Sequence, residues 1–376
     1  MAWDGSSFAN RPELYTDVLT EVDLEEIKDA IKFFKKQGLP RGSIDRTSFP
    51  LSPGLSQRVQ GISDILNDDR GFHVVRGIDP SQFSDEDHVL LFAGLSAHVA
   101  SNRAGYIHHI RHEKQDESMG SNLRPTELPV RMEFHTDADA GAIVALFTES
   151  NSQLGGEQYL SSFWRVYNAL ALEAPQVIQA LASNWHWEKP DRKDPNLGNL
   201  IYPQRAIIGH IDGRVQINYG RSFVAGHEKY PLSAQAPHLT DFQISALDLL
   251  SKMAEKHAFQ LDTQPGDLLF VNNLSIMHAR GAFRDGPECN PRHVMRLWLQ
   301  DQGSWPVAPT LKYKEEVGKW NVAPEDQKLY DLGEWKQTAR PLEESIYRLC
   351  YMLQPLFETI EHDWRWCDVA NESSLQ

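Results

Sequence analysis

The segment Phe134-His135-Thr136-Asp137 sets an imidazole and a carboxylate two residues apart. On a β-strand that spacing turns both side chains to one face, so the pair stands together without a bend in the backbone. A run of small and apolar residues follows, Ala140 to Phe147, of the kind found in buried sheet. Far downstream, His278 comes after a Pro265-Gly266-Asp267 turn, the apolar stretch Leu268 to Val271 and an Asn272-Asn273 corner. Close behind lies the alternating segment Arg292-His293-Val294-Met295-Arg296-Leu297-Trp298-Leu299. Arg296 sits in an apolar run, where an unpaired guanidinium is costly, so it needs an anionic partner.

Two histidines and one carboxylate with positions left open match the facial triad of non-heme iron(II) sites. A buried arginine beside them offers a bidentate clamp for a dicarboxylic cosubstrate. Taken singly, each residue has an ordinary structural explanation. A His-x-Asp pair hydrogen-bonds within a sheet, a lone histidine is satisfied in a core, and a buried arginine pairs with some Asp or Glu. Two rival classes also stand. The same three ligands suit zinc and an activated water, as in a hydrolase, although a hydrolase has no use for a dicarboxylate clamp. The other rival is a catalytically silent binding module, against which the intact ligand set argues.

These segments, with the Gly155-Gly156-Glu157 turn and the upstream stretch Gly71-Phe72-His73-Val74-Val75-Arg76-Gly77, resemble the taurine-dioxygenase-like (TauD/TfdA) family. Its members are iron(II)- and 2-oxoglutarate-dependent oxygenases. The likeness runs from about residue 55 to about residue 300 and rests on motifs that act together in order. It implies an α+β, mainly β fold, a double-stranded β-helix (jelly-roll) core with surrounding helices. It implies that His135, Asp137 and His278 hold Fe(II), and that 2-oxoglutarate takes two further positions. Arg296 then pairs with the distal carboxylate, Arg292 contacts the metal-bound end, and O2 takes the last position. Ascorbate serves as the reductant in vitro. Gln158 departs from the family, many members of which carry Thr or Ser after the Gly-Gly-Asp/Glu turn to bind the distal carboxylate. Its amide donates the same bond but is bulkier. The flavour is of fungal members acting in secondary metabolism. The implied substrate is a small carboxylate-bearing aliphatic amino acid, oxidised by hydroxylation, by C–N ring closure or by desaturation.

With 41% hydrophobic and 24% charged residues, the 376-residue chain reads as an ordinary globular protein with a sizeable core. A single domain over residues 1–376 is expected: a helical part to about 100, the jelly-roll over 101–300, and a C-terminal extension or lid from 301. The formal charge, 37 − 52 = −15, disfavours nucleic acid and anionic lipid as partners. A small-molecule substrate is the expected partner, with a homo-oligomer left open. Cys289, Cys350 and Cys367 are odd in number and far apart, which argues for a reducing compartment. The first residues show no basic or apolar secretory segment, and no apolar run nears the ~20 residues of a membrane span. The expected location is cytoplasmic.

The elements that must position the site follow from periodicity. A helix is predicted over 20–38, boxed by Asp23 and Glu26, with Leu24, Ile27, Ile31 and Phe34 inward and Gly38 and Pro40 as stop. A second carries Leu55, Val59, Ile62 and Leu66, and a third runs from Ser84 to about His98. Residues 101–128, with His108, His109 and His112, read as a pocket-edge loop rather than a metal site. A strand from Glu157 to Ser161, a helix over 162–172 and a loop excursion at 189–200 come next. Then follow an Asp212-Gly213 hairpin and a helix capped by Thr240 and Gln243, with Ile244, Leu247, Leu250, Met253 and Ala254 inward. The tryptophan-rich end, 303–376, is predicted to hold a helix at Leu342–Leu353.

Overall fold

The computed structural model describes residues 1–111, 128–138, 140–190, 199–228, 231–286, 291–300, 304–311, 320 and 322–327. The predicted helix at 342–353 and all three cysteines lie outside the described residues.

Three helices open the chain: α1 (Glu21–Gln37), α2 (Pro53–Asp68) and α3 (Asp85–Val99). The first begins one turn before its expected box. Thr20 is the cap: its hydroxyl accepts from the Asp23 N–H at 3.2 Å, and the Asp23 carboxylate accepts from the Thr20 N–H at 2.8 Å. Two such boxes overlap in the sequence, and the Thr20 one also lets Asp23 pair with Arg58 at 3.1 Å. Glu26 accepts instead from the Ser52 backbone N–H. As expected, Ile27, Ile31 and Phe34 are buried, and Gly38 ends the helix in the left-handed region at φ 64°.

The strands in order are β1 (Thr16–Val18), β2 (Phe72–Arg76), β3 (Asn102–Arg103), β4 (His108–Arg111), β5 (Met132–His135) and β6 (Ile143–Ser150). Next come β7 (Leu154–Gly155), β8 (Gln158–Ser162), β9 (Trp185–Pro190), β10 (Asn199–Arg205), β11 (Ile208–Ile211) and β12 (Arg214–Ile217). The last are β13 (Ala258–Gln260), β14 (Leu268–Asn272), β15 (Ile276–Arg280), β16 (Phe283–Arg284) and β17 (His293–Gln300). The remaining α-helices are α4 (Phe163–Glu173), α5 (Pro175–Leu181), α6 (Arg221–Val224) and α7 (Asp241–Lys256).

A major sheet runs β1-β2-β14-β6-β17-β3, with β4 also paired to β17, and a minor sheet runs β13-β8-β15-β5. All pairs but β1–β2 are antiparallel, as a jelly-roll requires. Side-chain alternation divides each strand between two cores. On β14, Leu269 and Val271 meet Leu160, Phe259 and Ile276 of the minor sheet, while Leu268 and Phe270 pack under α1, α2 and α3. On β15, Met277 and Ala279 face α4, α5 and α7 instead. The space between the sheets is closed at one end by Tyr15, Phe72 and Phe259, whose ring centroids lie 5.5–5.6 Å apart. Its other end is polar.

Three expectations change. Residues 101–128 are not loop throughout, because β3 and β4 pair with β17. Both faces of β4 are covered, so no polar alternation announced it. The excursion at 189–200 begins and ends as the β9–β10 hairpin, with residues 191–198 outside the description. On α7 the Thr240/Gln243 box and the inward Leu247, Leu250, Met253 and Ala254 stand, but Ile244 is 41% exposed, since the first turn overhangs the core.

Candidate metal centre

His278 stands on β15 directly opposite His135 at the end of β5, so both rings project between the sheets with centroids 4.3 Å apart. The His135 Nδ1 donates to the Glu133 carbonyl at 2.8 Å, which leaves its Nε2 with the lone pair. The two Nε2 atoms lie 3.9 and 3.8 Å from the same Asp137 Oδ1. A metal with bonds of ~2.1 Å holds neighbouring ligand atoms ~3 Å apart, so slight contraction completes the set. Each imidazole keeps 18% side-chain exposure, so the point of convergence is open to small molecules.

Strand alternation does not place Asp137, because β5 ends at His135. Its backbone is held by the Asn273 side chain: the Asp137 N–H donates to Oδ1 and its carbonyl accepts from Nδ2, both at 2.8 Å. The preceding Thr136 exchanges two 2.8 Å bonds with the backbone of Tyr219. The Asp137 carboxylate accepts from Trp298 Nε1 at 2.7 Å and from Arg296 at 3.1 Å. Burial alone would raise this carboxyl, but Arg296, the two imidazoles and Trp298 override it and hold it at about 2. Burial and the neighbouring His135 push His278 down to about 3, and burial likewise lowers His135. Neutral imidazoles beside an ionised carboxylate are the protonation states that ligate a metal. The His135 Nε2 lone pair and the Asp137 carboxylate converge with His278 Nε2 on one point, which fits a bound cation.

Arg296 and Arg292 share the inner face of the β17 segment but have different surroundings. Arg296 is tied to Asp137 and, through its other amino group, to His108 Nδ1 at 2.7 Å. Its expected place at the far end of a cosubstrate is thus taken up beside a candidate metal ligand. Arg292, 7% exposed, lies over the Phe283 ring and near Gly156. Among the described residues no carboxylate hydrogen-bonds its guanidinium, and burial lowers it to about 10. Gln158 is buried opposite Arg280 on the inner face, and its amide makes no hydrogen bond among the described residues.

Asn273, Trp298 and Arg280 were not singled out as site residues, and His108 was placed only in a pocket-edge stretch. The alternation Arg296-x-Trp298 could have flagged the second. The others are brought in by pairing between distant strands, and Arg280 turns its guanidinium to the Leu128 and Val130 carbonyls.

A His/Asp/His set that could hold a metal ion, between the two sheets of a jelly-roll, is the arrangement of a non-heme iron oxygenase site. Residues 41–298, well over half of the chain, match the family described as "Taurine catabolism dioxygenase TauD, TfdA family". The chain belongs to this family of dioxygenases, whose cofactors are Fe(II) and 2-oxoglutarate. It is 29% identical over 328 residues to "Taurine hydroxylase-like protein SAT17" of Stachybotrys chartarum, covering 83% of this chain and 82% of that one. It is 24% identical over 297 residues to "FR-33289 synthase" of Streptomyces rubellomurinus, covering 76% and 85%. Among solved structures, an asparagine oxygenase in complex with Fe(II), 3-hydroxyasparagine and succinate shares the fold at TM-score 0.59 and 13% identity, over 76% of this chain and 93% of that one. The non-heme iron oxygenase OrfP in complex with Fe and alpha-ketoglutaric acid does so at 0.54 and 15%, over 76% and 93%. No helix among the described residues is long and apolar enough to cross a membrane.

Proposed function

We propose that His135, Asp137 and His278 hold Fe(II), and that 2-oxoglutarate lies along the inner face of the minor sheet from His278 towards Gln158. The observation that carries this reading is the buried Arg292, whose guanidinium no carboxylate among the described residues hydrogen-bonds and whose burial Asp285 offsets only in part. Gln158 and Arg280 stand two residues beyond the His278–Leu160 pair, about 7 Å along the strands, which matches a five-carbon dicarboxylate. A distal carboxylate there meets Arg292 and the Gln158 amide, and supplies a guanidinium that Asp285 offsets only in part with a direct anionic partner. The roles expected of the two arginines are thereby exchanged. Arg292 is the distal clamp, and Arg296 works at the metal end.

Bound iron, with 2-oxoglutarate and dioxygen, supplies an oxidant able to take hydrogen from an unactivated C–H as the cosubstrate becomes succinate and carbon dioxide. The chain's own residues do the positioning. Glu133 fixes the His135 tautomer, Asn273 fixes the Asp137 backbone, and Arg296 with Trp298 fixes the carboxylate rotamer. Buried Leu160, Val144 and Ile276 keep water from the inner face. The Arg296 guanidinium and His108, on the open side of the metal point, offer a place for an acidic group of the substrate. A small carboxylate-bearing molecule, an amino acid of secondary metabolism, fits that place. The oxygenases of similar fold that bear hydroxyasparagine and hydroxy-arginine support this substrate class. Hydroxylation is the main outcome, and ring closure or desaturation follows where the substrate radical is held away from oxygen transfer.

The test is succinate release from 2-oxoglutarate with Fe(II), ascorbate and air across a panel of L-amino acids, with products read by mass. Succinate stimulated by one amino acid, and absent with Asp137→Ala, supports the reading. A gain of one oxygen marks hydroxylation, and a loss of two hydrogens marks ring closure or desaturation. Anaerobic Fe(II) and 2-oxoglutarate that together give no visible charge-transfer band would overturn it.

A further inference from the structure

The outer face of the major sheet carries a second group of ligand-type side chains, across the sheet from His135, Asp137 and His278. On β17, Met295, Leu297 and Leu299 pack outward under the helices, and His293 follows the same alternation. Glu149 reaches His293 from the point where the β6–β17 register slips, its Oε2 accepting from His293 Nδ1 at 2.7 Å. Above them stands the first turn of α3. Its Asp85 and His88 are three residues apart and so share one side of the helix. The ligand atoms of Asp85, His88 and Glu149 all lie within 4.8 Å of one another.

The tautomers make this group more than a cluster. His88 is 4% exposed, with its ring between those of Phe83 and Phe147. Its Nε2 lies 2.9 Å from the Pro80 carbonyl, which only accepts, so Nε2 carries the hydrogen. In the neutral ring Nδ1 then presents a bare lone pair. That atom is buried and without a hydrogen-bond partner, yet it faces the Glu149 carboxylate at 3.7 Å. Two electron-rich atoms enclosed face to face repel unless a cation lies between them. His293 cannot supply it, because its Nδ1 hydrogen is already given to Glu149 and its Nε2 faces His109 at 3.1 Å. An imidazole whose far nitrogen donates to a carbonyl, and a carboxylate steadied by an outer hydrogen bond, are the usual supports of a metal ligand.

We propose that Asp85, His88 and Glu149 form a second cation site, structural in role, which clips the start of α3 to β6 with His293 steadying Glu149. The imidazole favours a borderline divalent metal of the zinc class over calcium or magnesium, which take oxygen ligands. Two carboxylates must outweigh the positive end of α3 and Arg111, whose Cα pairs with that of His293. Asp85 is exposed, so the remaining coordination positions open to water.

The test uses the full chain with His135→Ala and Asp137→Ala, stripped by chelator and then titrated with Zn(II) alone. Bound zinc is counted after desalting, and thermal unfolding is followed in parallel. One retained equivalent that raises the unfolding temperature is expected. Adding His88→Gln should abolish both effects. Adding Asp85→Asn, an exposed change that should lower the metal-free unfolding temperature only slightly through the lost charge at the start of α3, should weaken zinc binding at least tenfold. No retained zinc in the background protein, or zinc insensitive to both substitutions, would overturn the site and leave His88 and Glu149 as a protonated ion pair. Because the background lacks the iron ligands, either result leaves the oxygenase reading untouched.

Discussion

Replacing Arg292 by Met separates binding from stability. The guanidinium is 7% exposed and burial lowers it from 12.5 to about 10. That shift corresponds to a burial penalty on the order of 3 kcal/mol for the charged form, which is the form present at neutral pH. Without cosubstrate, Arg292→Met removes the penalty and keeps an apolar side chain over Phe283, so stability should hold or rise. With cosubstrate, the same change deletes one partner of a buried charged pair, worth ~2–5 kcal/mol. At 1.4 kcal/mol per tenfold, 2-oxoglutarate should bind roughly 30- to 4,000-fold more weakly. Thermal unfolding of the cosubstrate-free protein gives the first quantity. Anaerobic titration of the Fe(II) protein with 2-oxoglutarate, followed by its visible band, gives the second. Arg296→Met should instead loosen the metal and the substrate, with a smaller effect on 2-oxoglutarate. The reasoning fails if Arg296→Met is the variant that loses 2-oxoglutarate. It also fails if Arg292→Met destabilises the cosubstrate-free protein by several kcal/mol, since the guanidinium would then already have an anion.

Asp137→Ala should abolish turnover with loss of bound iron, and near-normal activity would remove Asp137 from the ligand set. Asn273→Ala deletes both bonds to the Asp137 backbone and should cost ~1–3 kcal/mol of stability together with iron affinity; unchanged iron retention would show that the loop holds itself. Gly94→Ala puts a methyl 2.5 Å from the Phe49 ring in the helical layer, and should lower stability by ~1–3 kcal/mol in thermal unfolding without altering 2-oxoglutarate binding. Burial and Arg70 lower His73 to about 4, and burial, His293 and Arg111 lower His109 to about 3. Between those values and 6.5 the unfolded chain binds more protons, so stability rises with pH there, by at most ~1.4 kcal/mol per unit per histidine. An unfolding temperature that stays flat from pH 6.5 down to 4 would contradict this.

What could be read from the chain was whatever repeats or stands close in sequence. The faces of α1, α2 and, past its first turn, α7 follow from helical period alone, because each buries one stripe against its neighbours. Thr240 and Gln243 announce their helix because the cap needs only local bonds. His135, Asp137 and His278 were legible as a set of types and flanks, and the geometry brings the three together. The β4 strand was not legible, since it is made by pairing with β17 and has no polar face to give it an alternating pattern.

The division between Arg292 and Arg296 shows the limit most clearly. The sequence by itself determined that two arginines four residues apart share a face of one strand, because alternation depends only on the backbone. Which of them bonds Asp137 and which has no carboxylate hydrogen-bonded to its guanidinium among the described residues depends on what lies across the sheets. Asp137, His108 and Trp298 surround one; Phe283 and Gly156 adjoin the other. Asp137 repeats the lesson. Its spacing from His135 named the pair, but the strand stops short of it, and the Asn273 amide, 136 residues away in sequence, aims the carboxylate. Local periodicity determines the type and face of a side chain. The field and hydrogen bonds that give it a task come from residues that only the folded chain brings near.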